Sequence, residues 1–198
     1  MNAIKTYYIV LDPSGDIHYT GRSIGDSFER AITLQCAEKI KEYIETKDPH
    51  YKVIITRLPG ETMSELQTAS LSNKLNADLC ISLNFYYSQE TKLFIYQCAY
   101  NDVPLQTHSL CFIPYDQAYL CNKSTTDHIM NIFNTVLRSP HYAHLFQVST
   151  YNALPLKQII GITAPSFVIE AGIKHKDRTN LFVEPLASCI LQACNENL

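Results

Sequence analysis

Residues 7–15 read Tyr-Tyr-Ile-Val-Leu-Asp-Pro-Ser-Gly, and this stretch indicates the fold class. Its apolar run predicts a buried strand, which Pro13 helps to end because proline has no N–H to donate. Further runs that predict strands lie at 53–56, 79–83, 92–98 and 166–169. Segments with helical spacing separate most of these runs. Strands that alternate with helices predict a single α/β domain over residues 1–198, with a mostly parallel central sheet and helices on both faces.

The first long helix is expected to begin near Asp26 or Ser27, because either side chain can cap a helix. Apolar residues four apart predict its buried stripe: Phe28, Ile32, Cys36, Ile40 and Ile44. Three further helices are expected: residues 63–76, one from Ser124 or Thr125, and one from about Glu184 with Pro185 in its first turn. Residues 99–122, rich in Tyr, Pro and Asn, are expected to be irregular.

Composition and charge exclude several classes of protein. Hydrophobic residues make up 46% of the 198 residues and charged residues 18%, so the chain can bury a large core. A net charge of −3 without a Lys/Arg cluster argues against a nucleic-acid-binding protein. No apolar run approaches the length of a membrane span. The expected partners therefore include neither nucleic acid nor the membrane interior.

Cysteine usage and the start of the chain bear on the compartment. The seven cysteines lie at 36, 80, 98, 111, 121, 189 and 194. Their odd number and the lack of a Cys-x-x-Cys pair favour buried reduced thiols over a disulfide framework. No charged and apolar leader precedes Tyr7, so the sequence as it stands predicts no signal peptide. Both observations favour a cytoplasmic protein, whereas a chain trimmed of its leader would belong to the cell envelope or periplasm.

Four motifs together carry a resemblance to a known family. They are residues 12–15 (Asp-Pro-Ser-Gly), Glu29, residues 77–84 (Ala-Asp-Leu-Cys-Ile-Ser-Leu-Asn) and residues 167–172 (Phe-Val-Ile-Glu-Ala-Gly). In this order they resemble the zinc-dependent N-acetylmuramoyl-L-alanine amidases, which cut the amide that joins the glycan to the stem peptide of peptidoglycan. Arg57, at the end of the second strand, adds to the resemblance. It spans nearly the whole chain and implies an amidase-like domain over residues 1–198.

The resemblance also implies which residues would form the site. In the family, His, Glu and His bind zinc, and a second Glu is the general base; Glu29 matches the ligand and Glu170 matches the base. Gly15 and Asn84 occupy the positions of the two His ligands. Glycine offers no donor atom and a neutral amide oxygen binds zinc poorly, so we expect no zinc and no other cofactor. Restoring both ligands by Gly15→His and Asn84→His is expected to create a zinc site with Glu29.

Other histidines are candidates for a rebuilt metal site. His18 is the strongest, because it follows Gly15 in the same loop. His141 and His144 have His-x-x-His spacing, which often occurs by chance. The remaining histidines have no spacing typical of metal ligands.

Three functional hypotheses follow. The first is a pseudoenzyme, an amidase fold without zinc that acts by binding a peptidoglycan fragment or a protein partner. The second is an active zinc-dependent peptidoglycan amidase whose metal site is rebuilt from Glu29, His18 and a third ligand. The third is a metal-free hydrolase in which Glu170 acts with Cys80 or Ser82. The odd cysteine count and the missing leader favour the first over the second.

Overall fold

The computed structural model of the chain describes residues 5–98, 115–153 and 156–197 and, within them, every side chain except those of 115–122 and 197. The elements in chain order are β1 (Tyr7–Pro13), β2 (Ser23–Ile24), β3 (Ser27–Phe28), α1 (Glu29–Lys47), β4 (Tyr51–Ile55), α2 (Glu65–Lys74), β5 (Leu79–Tyr87), β6 (Lys92–Cys98), α3 (Tyr115–Leu137), β7 (Gln147–Ala153), β8 (Ser166–Ile173) and α4 (Asn180–Asn197). Short 3-10 helices lie at Lys157–Ile159 and Lys176–Thr179.

Six strands form the central sheet in the order β4-β1-β5-β8-β6-β7. Strand β6 runs antiparallel to β8, and every other neighbouring pair in this sheet is parallel. The carboxyl ends of β1, β4, β5 and β8 therefore meet at one edge, where polar side chains converge. The prediction of a single α/β domain with a mostly parallel sheet is confirmed.

Helices cover both faces of the sheet. On one face α1, α3 and α4 pack against the larger core cluster, which includes Ile9, Ile81 and Phe167. On the other face Ala69 of α2 and Ile159 pack against a smaller cluster. Successive residues of the central strands point alternately into the two clusters. Both faces of these strands are therefore apolar, and their sequences are continuous apolar runs.

The start of α1 differs from the prediction. Asp26 and Ser27 do not cap the helix but belong to a small hairpin in which β2 pairs with β3, and α1 begins at Glu29. The hairpin is anchored by Ile24, which is fully buried, and by an ion pair between Asp26 and Lys176. Phe28 lies in the hairpin and is 47% exposed, so its assignment to the buried stripe was wrong.

Two helix boundaries and one strand also differ from the prediction. Helix α3 begins at Tyr115, so Ser124 and Thr125 lie inside it and the expectation of irregular structure up to 122 was wrong for its last part; residues 99–114 lie outside the described ranges. Helix α4 begins at Asn180, which places Pro185 inside it and not in its first turn. Strand β7 was not predicted, because its sequence, Gln-Val-Ser-Thr-Tyr-Asn-Ala, is largely polar.

The cysteines with described side chains are at 36, 80, 98, 189 and 194, and all five are buried, in line with the prediction. In the part of the chain that the structure describes, no helix combines the length and apolarity needed to cross a membrane.

Candidate functional site

Glu29 is the first residue of α1 and is only 3% exposed. Its carboxylate accepts three hydrogen bonds from the protein itself. Oε1 accepts from Ser14 Oγ at 3.1 Å and from the backbone N–H of Phe85 at 3.0 Å, and Oε2 accepts from the backbone N–H of Arg22 at 3.0 Å. These donors satisfy the buried carboxylate and occupy three of its roughly four lone-pair sites.

Gly21 makes the close approach of the β1–α1 loop to Glu29 feasible. Its φ is +73°, and a Cβ at this position would lie 2.7 Å from both Cβ and Oε2 of Glu29. Only glycine adopts this left-handed backbone without cost and leaves that space open. The next residue, Arg22, is thereby positioned with its N–H on Glu29.

The side chain of Arg22 extends in turn to Glu170 on β8. Nη1 of Arg22 donates a hydrogen bond to Oε1 of Glu170, and the two groups form an ion pair. The hydroxyl of Tyr96 lies 3.4 Å from Oε2 of the same carboxylate. Arg22 therefore contacts both carboxylates that the sequence singled out, Glu29 through its backbone and Glu170 through its guanidinium.

Glu170 lies within β8, because the strand continues to Ile173 and does not end at the carboxylate as the sequence suggested. It pairs in register with Asn84 of β5 on one side and with Phe94 of β6 on the other. The side chain of Glu170 is 22% exposed at a cavity of about 550 Å³, whose walls include Arg22, Tyr86 and Phe94. The Glu170 carboxylate is thus accessible but already paired.

A side chain at position 15 would start very close to Arg30 of α1. The φ of Gly15 is +79°, and a Cβ built there would lie 2.7 Å from Cβ and 3.1 Å from Cα of Arg30. A side chain at this position would therefore run into α1. The expectation that a histidine at position 15 would join Glu29 in a metal site is not supported by this backbone.

Asn84 faces a second, smaller cavity of about 150 Å³, which is also lined by Gly15, Ser82 and Asp12. Within the described residues, the Asn84 amide makes long contacts, at 3.5 Å, to Ser82 Oγ and to the carbonyl of Ile169. Gly15 and Asn84 thus line the cavity of about 150 Å³, whereas Glu170 lines the cavity of about 550 Å³.

Asp12 and Arg57 hold the end of β1 in place. Oδ1 of Asp12 accepts from the hydroxyl of Thr56 at 2.6 Å, and burial raises the pKa of Asp12 above its ordinary value although this bond opposes the rise. Arg57 is 6% exposed and donates to the carbonyls of Pro13, Ser14 and Arg30. Since Arg57 is bonded to backbone at both ends of the loop, its role in this structure is to shape the loop.

His18 is exposed, and its backbone N–H donates to Oδ1 of Asp16 at 2.8 Å. In the described residues, no group of three or more His, Cys, Asp and Glu is placed to hold a metal ion. Glu29, with its oxygens bonded to protein donors, and an exposed His18 do not make a tetrahedral zinc set. The described residues at this site therefore do not fit zinc.

Sequence reasoning missed Arg22, Ser14 and Tyr96. Arg22 lies in a polar loop whose path depends on Gly21 and on a hairpin that the sequence did not reveal. Ser14 was noted only as part of the Asp-Pro-Ser-Gly motif, although a hydroxyl next to the predicted ligand position was a usable signal. Tyr96 reaches Glu170 only because β6 pairs with β8.

The solved structures described below share this arrangement of elements, and each is an amidase. The family model described as N-acetylmuramoyl-L-alanine amidase (Amidase_3) matches residues 9–185. The catalytic domain of CwlV, an N-acetylmuramoyl-L-alanine amidase from Bacillus (Paenibacillus) polymyxa var. colistinus, is similar with a TM-score of 0.67 and 14% identity, over 96% of this chain and 99% of that one. The amidase Ami1 from Mycobacterium smegmatis gives a TM-score of 0.70 and 9% identity, over 97% and 98%.

A third similar structure is the CwlD amidase from Clostridioides difficile in complex with the GerS lipoprotein, with a TM-score of 0.65, 13% identity, and coverage of 96% and 99%. No curated protein sequence matches the chain significantly. At these identities the solved structures establish a common fold and nothing about activity.

Proposed function

We propose that this chain, which belongs to the N-acetylmuramoyl-L-alanine amidase family, is a metal-free member that acts by binding and not by hydrolysis. The family is generally zinc-dependent and acts on peptidoglycan. The ligand that we propose is accordingly a peptidoglycan fragment, with a protein partner as the alternative.

The observation that carries the proposal is the pairing of both candidate carboxylates with groups of the chain itself. Glu29 accepts from Ser14, Arg22 and Phe85, and Glu170 is paired with the guanidinium of Arg22. A general base must contact the proton that it takes, and in this structure the guanidinium of Arg22 occupies Oε1 of Glu170. In metal-dependent hydrolysis, zinc lowers the pKa of its bound water to about 7, and no described side chain at this site replaces that effect.

The alternative of an active amidase with a rebuilt site is not supported by a specific contact. It requires His18 to approach Glu29, and the exposed loop turn around Asp16 does not bring it there. The third hypothesis, a hydrolase in which Glu170 acts with Cys80 or Ser82, conflicts with the burial of both side chains, which are 0% and 1% exposed.

Elemental analysis and an activity assay test the proposal together. Protein purified without added metal is expected to contain well under one zinc per chain and to release no stem peptide from soluble peptidoglycan fragments. The same fragments, titrated against the protein in the presence of a chelator, are expected to bind. An active family member serves as the positive control for hydrolysis.

Two results would overturn the proposal. One is stoichiometric zinc that is lost in Glu29→Gln or His18→Ala. The other is hydrolysis that Glu170→Gln abolishes. Failure of the fragments to bind, with zinc absent, would remove peptidoglycan as the ligand.

A further inference from the structure

Four aromatic side chains lie with Glu170 on one face of the sheet. Glu170 pairs in register with Phe94, and Tyr96 lies two residues further along the same strand, so both rings share its face. Tyr151 of β7 pairs with Tyr96, and their ring centroids are 5.6 Å apart. Tyr86 of β5 completes the group, with its centroid 6.3 Å from that of Phe94.

The packing of Tyr86 against β8 closes one side of this group. Gly172 lies opposite Tyr86 in register, and a Cβ there would be 2.8 Å from the ring carbon Cζ of Tyr86. The tyrosine ring therefore lies across the glycine backbone, next to Glu170. We call Glu170 with Tyr86, Phe94, Tyr96 and Tyr151 the aromatic–carboxylate site.

A carboxylate beside aromatic rings favours a cationic ligand. The face of an aromatic ring carries partial negative charge and attracts ammonium and guanidinium groups within about 6 Å, and a carboxylate adds a full negative charge. The structure already contains such an occupant, because the guanidinium carbon of Arg22 lies 5.8 Å from the Tyr86 centroid while Nη1 is paired with Glu170.

Another cation can compete with Arg22 for this site. The Arg22 side chain is 51% exposed, and only Nη1 donates to the carboxylate. Arg22 comes from the loop between β1 and β2, not from the sheet. Ion pairs with this degree of exposure contribute little to stability, so a competing cation meets little resistance.

We propose that the aromatic–carboxylate site binds an ammonium or guanidinium group of a ligand, and that the guanidinium of Arg22 competes with this group for the site. This proposal rests on the proposed function, since it requires a site without metal. The cationic group belongs either to a small molecule or to a Lys or Arg side chain of a partner. The shared chemistry is a compact cation that replaces Arg22 on Glu170.

The test uses methylguanidinium chloride as the probe and the NMR signals of the Tyr and Phe rings as the readout. Arg22→Gln is expected to bind the probe about fivefold more tightly than the parent, because the competing ion pair is gone. Arg22→Lys, which keeps a competing cation, serves as the matched control and is expected to resemble the parent. Glu170→Gln is expected to lose measurable binding, and Phe94→Leu to weaken it.

Two peptides distinguish the sources of the cation. A tripeptide with a central arginine is compared with the same tripeptide containing the uncharged analogue citrulline. Tighter binding of the arginine peptide than of methylguanidinium assigns the site to a partner's side chain, and equal affinity assigns it to a small cation.

Equal binding of the probe by Arg22→Gln and the parent, or unchanged binding by Glu170→Gln, would overturn the inference. Circular dichroism confirms that each variant is folded. Zinc content separates this failure from failure of the proposed function: a zinc-free protein that ignores the probe contradicts only the inference, whereas stoichiometric zinc contradicts both.

Discussion

Arg22 and Glu170 are separated by 148 residues in the chain, and the guanidinium of one is paired with the carboxylate of the other. The contact links the β1–α1 loop to β8. Because the backbone N–H of Arg22 also donates to Glu29, a single residue contacts both acidic groups of the candidate site. The guanidinium brings a positive charge to Glu170, whereas Glu29 receives a neutral backbone N–H.

The first prediction concerns Glu29. Whichever oxygen of Glu29 the glutamine NH₂ group replaces, it faces a backbone N–H, of Phe85 or of Arg22, which then has no acceptor. We therefore expect Glu29→Gln to lower the free energy of unfolding by about 1–3 kcal/mol. Urea unfolding measures the loss. The same loss is expected with and without a chelator, since the three donors to Glu29 belong to the protein.

Ser14→Ala is the matched control for that experiment. It removes one of the three donors and keeps the carboxylate, so a smaller loss of about 1 kcal/mol is expected. If a chelator lowers the stability of the parent but not of Glu29→Gln, then Glu29 binds a metal and the chain is not a metal-free member of its family.

The second prediction is a dependence of stability on pH that comes from Asp12. Burial raises the pKa of Asp12 above its ordinary value of 3.8. A carboxyl group with a raised pKa in the folded state contributes stability that is complete below the unfolded pKa and is lost as pH rises through the folded pKa. Asp12→Asn removes this titration and can still accept from Thr56 and Thr68.

We therefore expect the stability of Asp12→Asn relative to the parent to increase between about pH 4 and pH 8. Urea unfolding of both proteins at intervals across this range measures the difference. A difference that stays constant or falls with pH would show that the folded protein does not hold Asp12 at a raised pKa.

The sequence predicted those parts of the site that lie on regular elements. Asp12, Glu29 and Glu170 follow or belong to apolar runs and a long helix, so their placement depends on local patterns that periodicity reveals. Arg22 could not be found in this way. Its position depends on the left-handed backbone of Gly21, on Ile24 anchoring a two-stranded hairpin, and on a partner in β8, and none of these leaves a periodic signal.

Strand β7 illustrates the same limit on the fold. Its polar sequence becomes a strand because β6 offers a parallel edge, with Tyr151 opposite Tyr96. Pairing of this kind depends on tertiary context more than on intrinsic preference. The aromatic–carboxylate site includes one residue from this strand, so it could not be assembled from the sequence either.

The third prediction is that Cys80 does not react in the folded protein. Its side chain has no exposed surface, and burial raises the pKa of its thiol. Since the thiolate is the nucleophile, alkylation by iodoacetamide is expected to be negligible in the native state and complete in urea. Mass spectrometry of digested protein measures both. Rapid native labelling of Cys80 would revive the hydrolase that uses this thiol with Glu170.

The last prediction concerns the attempt to restore a zinc site by Gly15→His and Asn84→His. The backbone at Gly15 has φ +79°, and a non-glycine residue in this left-handed region costs about 1–2 kcal/mol. The contact of its Cβ with Arg30 at 2.7 Å adds to this cost. We expect Gly15→His to be destabilised in urea unfolding, and Gly15→Ala, which has the same backbone problem with a smaller side chain, to share most of the loss.

For the same reason the double variant is not expected to gain zinc. The Cβ at position 15 would collide with Arg30, so the new imidazole is not expected to reach a ligand position, and the one imidazole at position 84 does not complete a tetrahedral set with Glu29. Zinc titration should therefore give the same weak binding for the double variant as for Asn84→His alone. If the double variant instead binds one zinc per chain, and Glu29→Gln removes it, then the loop rearranges around the metal. In that case the left-handed backbone at Gly15 is a consequence of losing the histidine ligand and does not prevent its restoration.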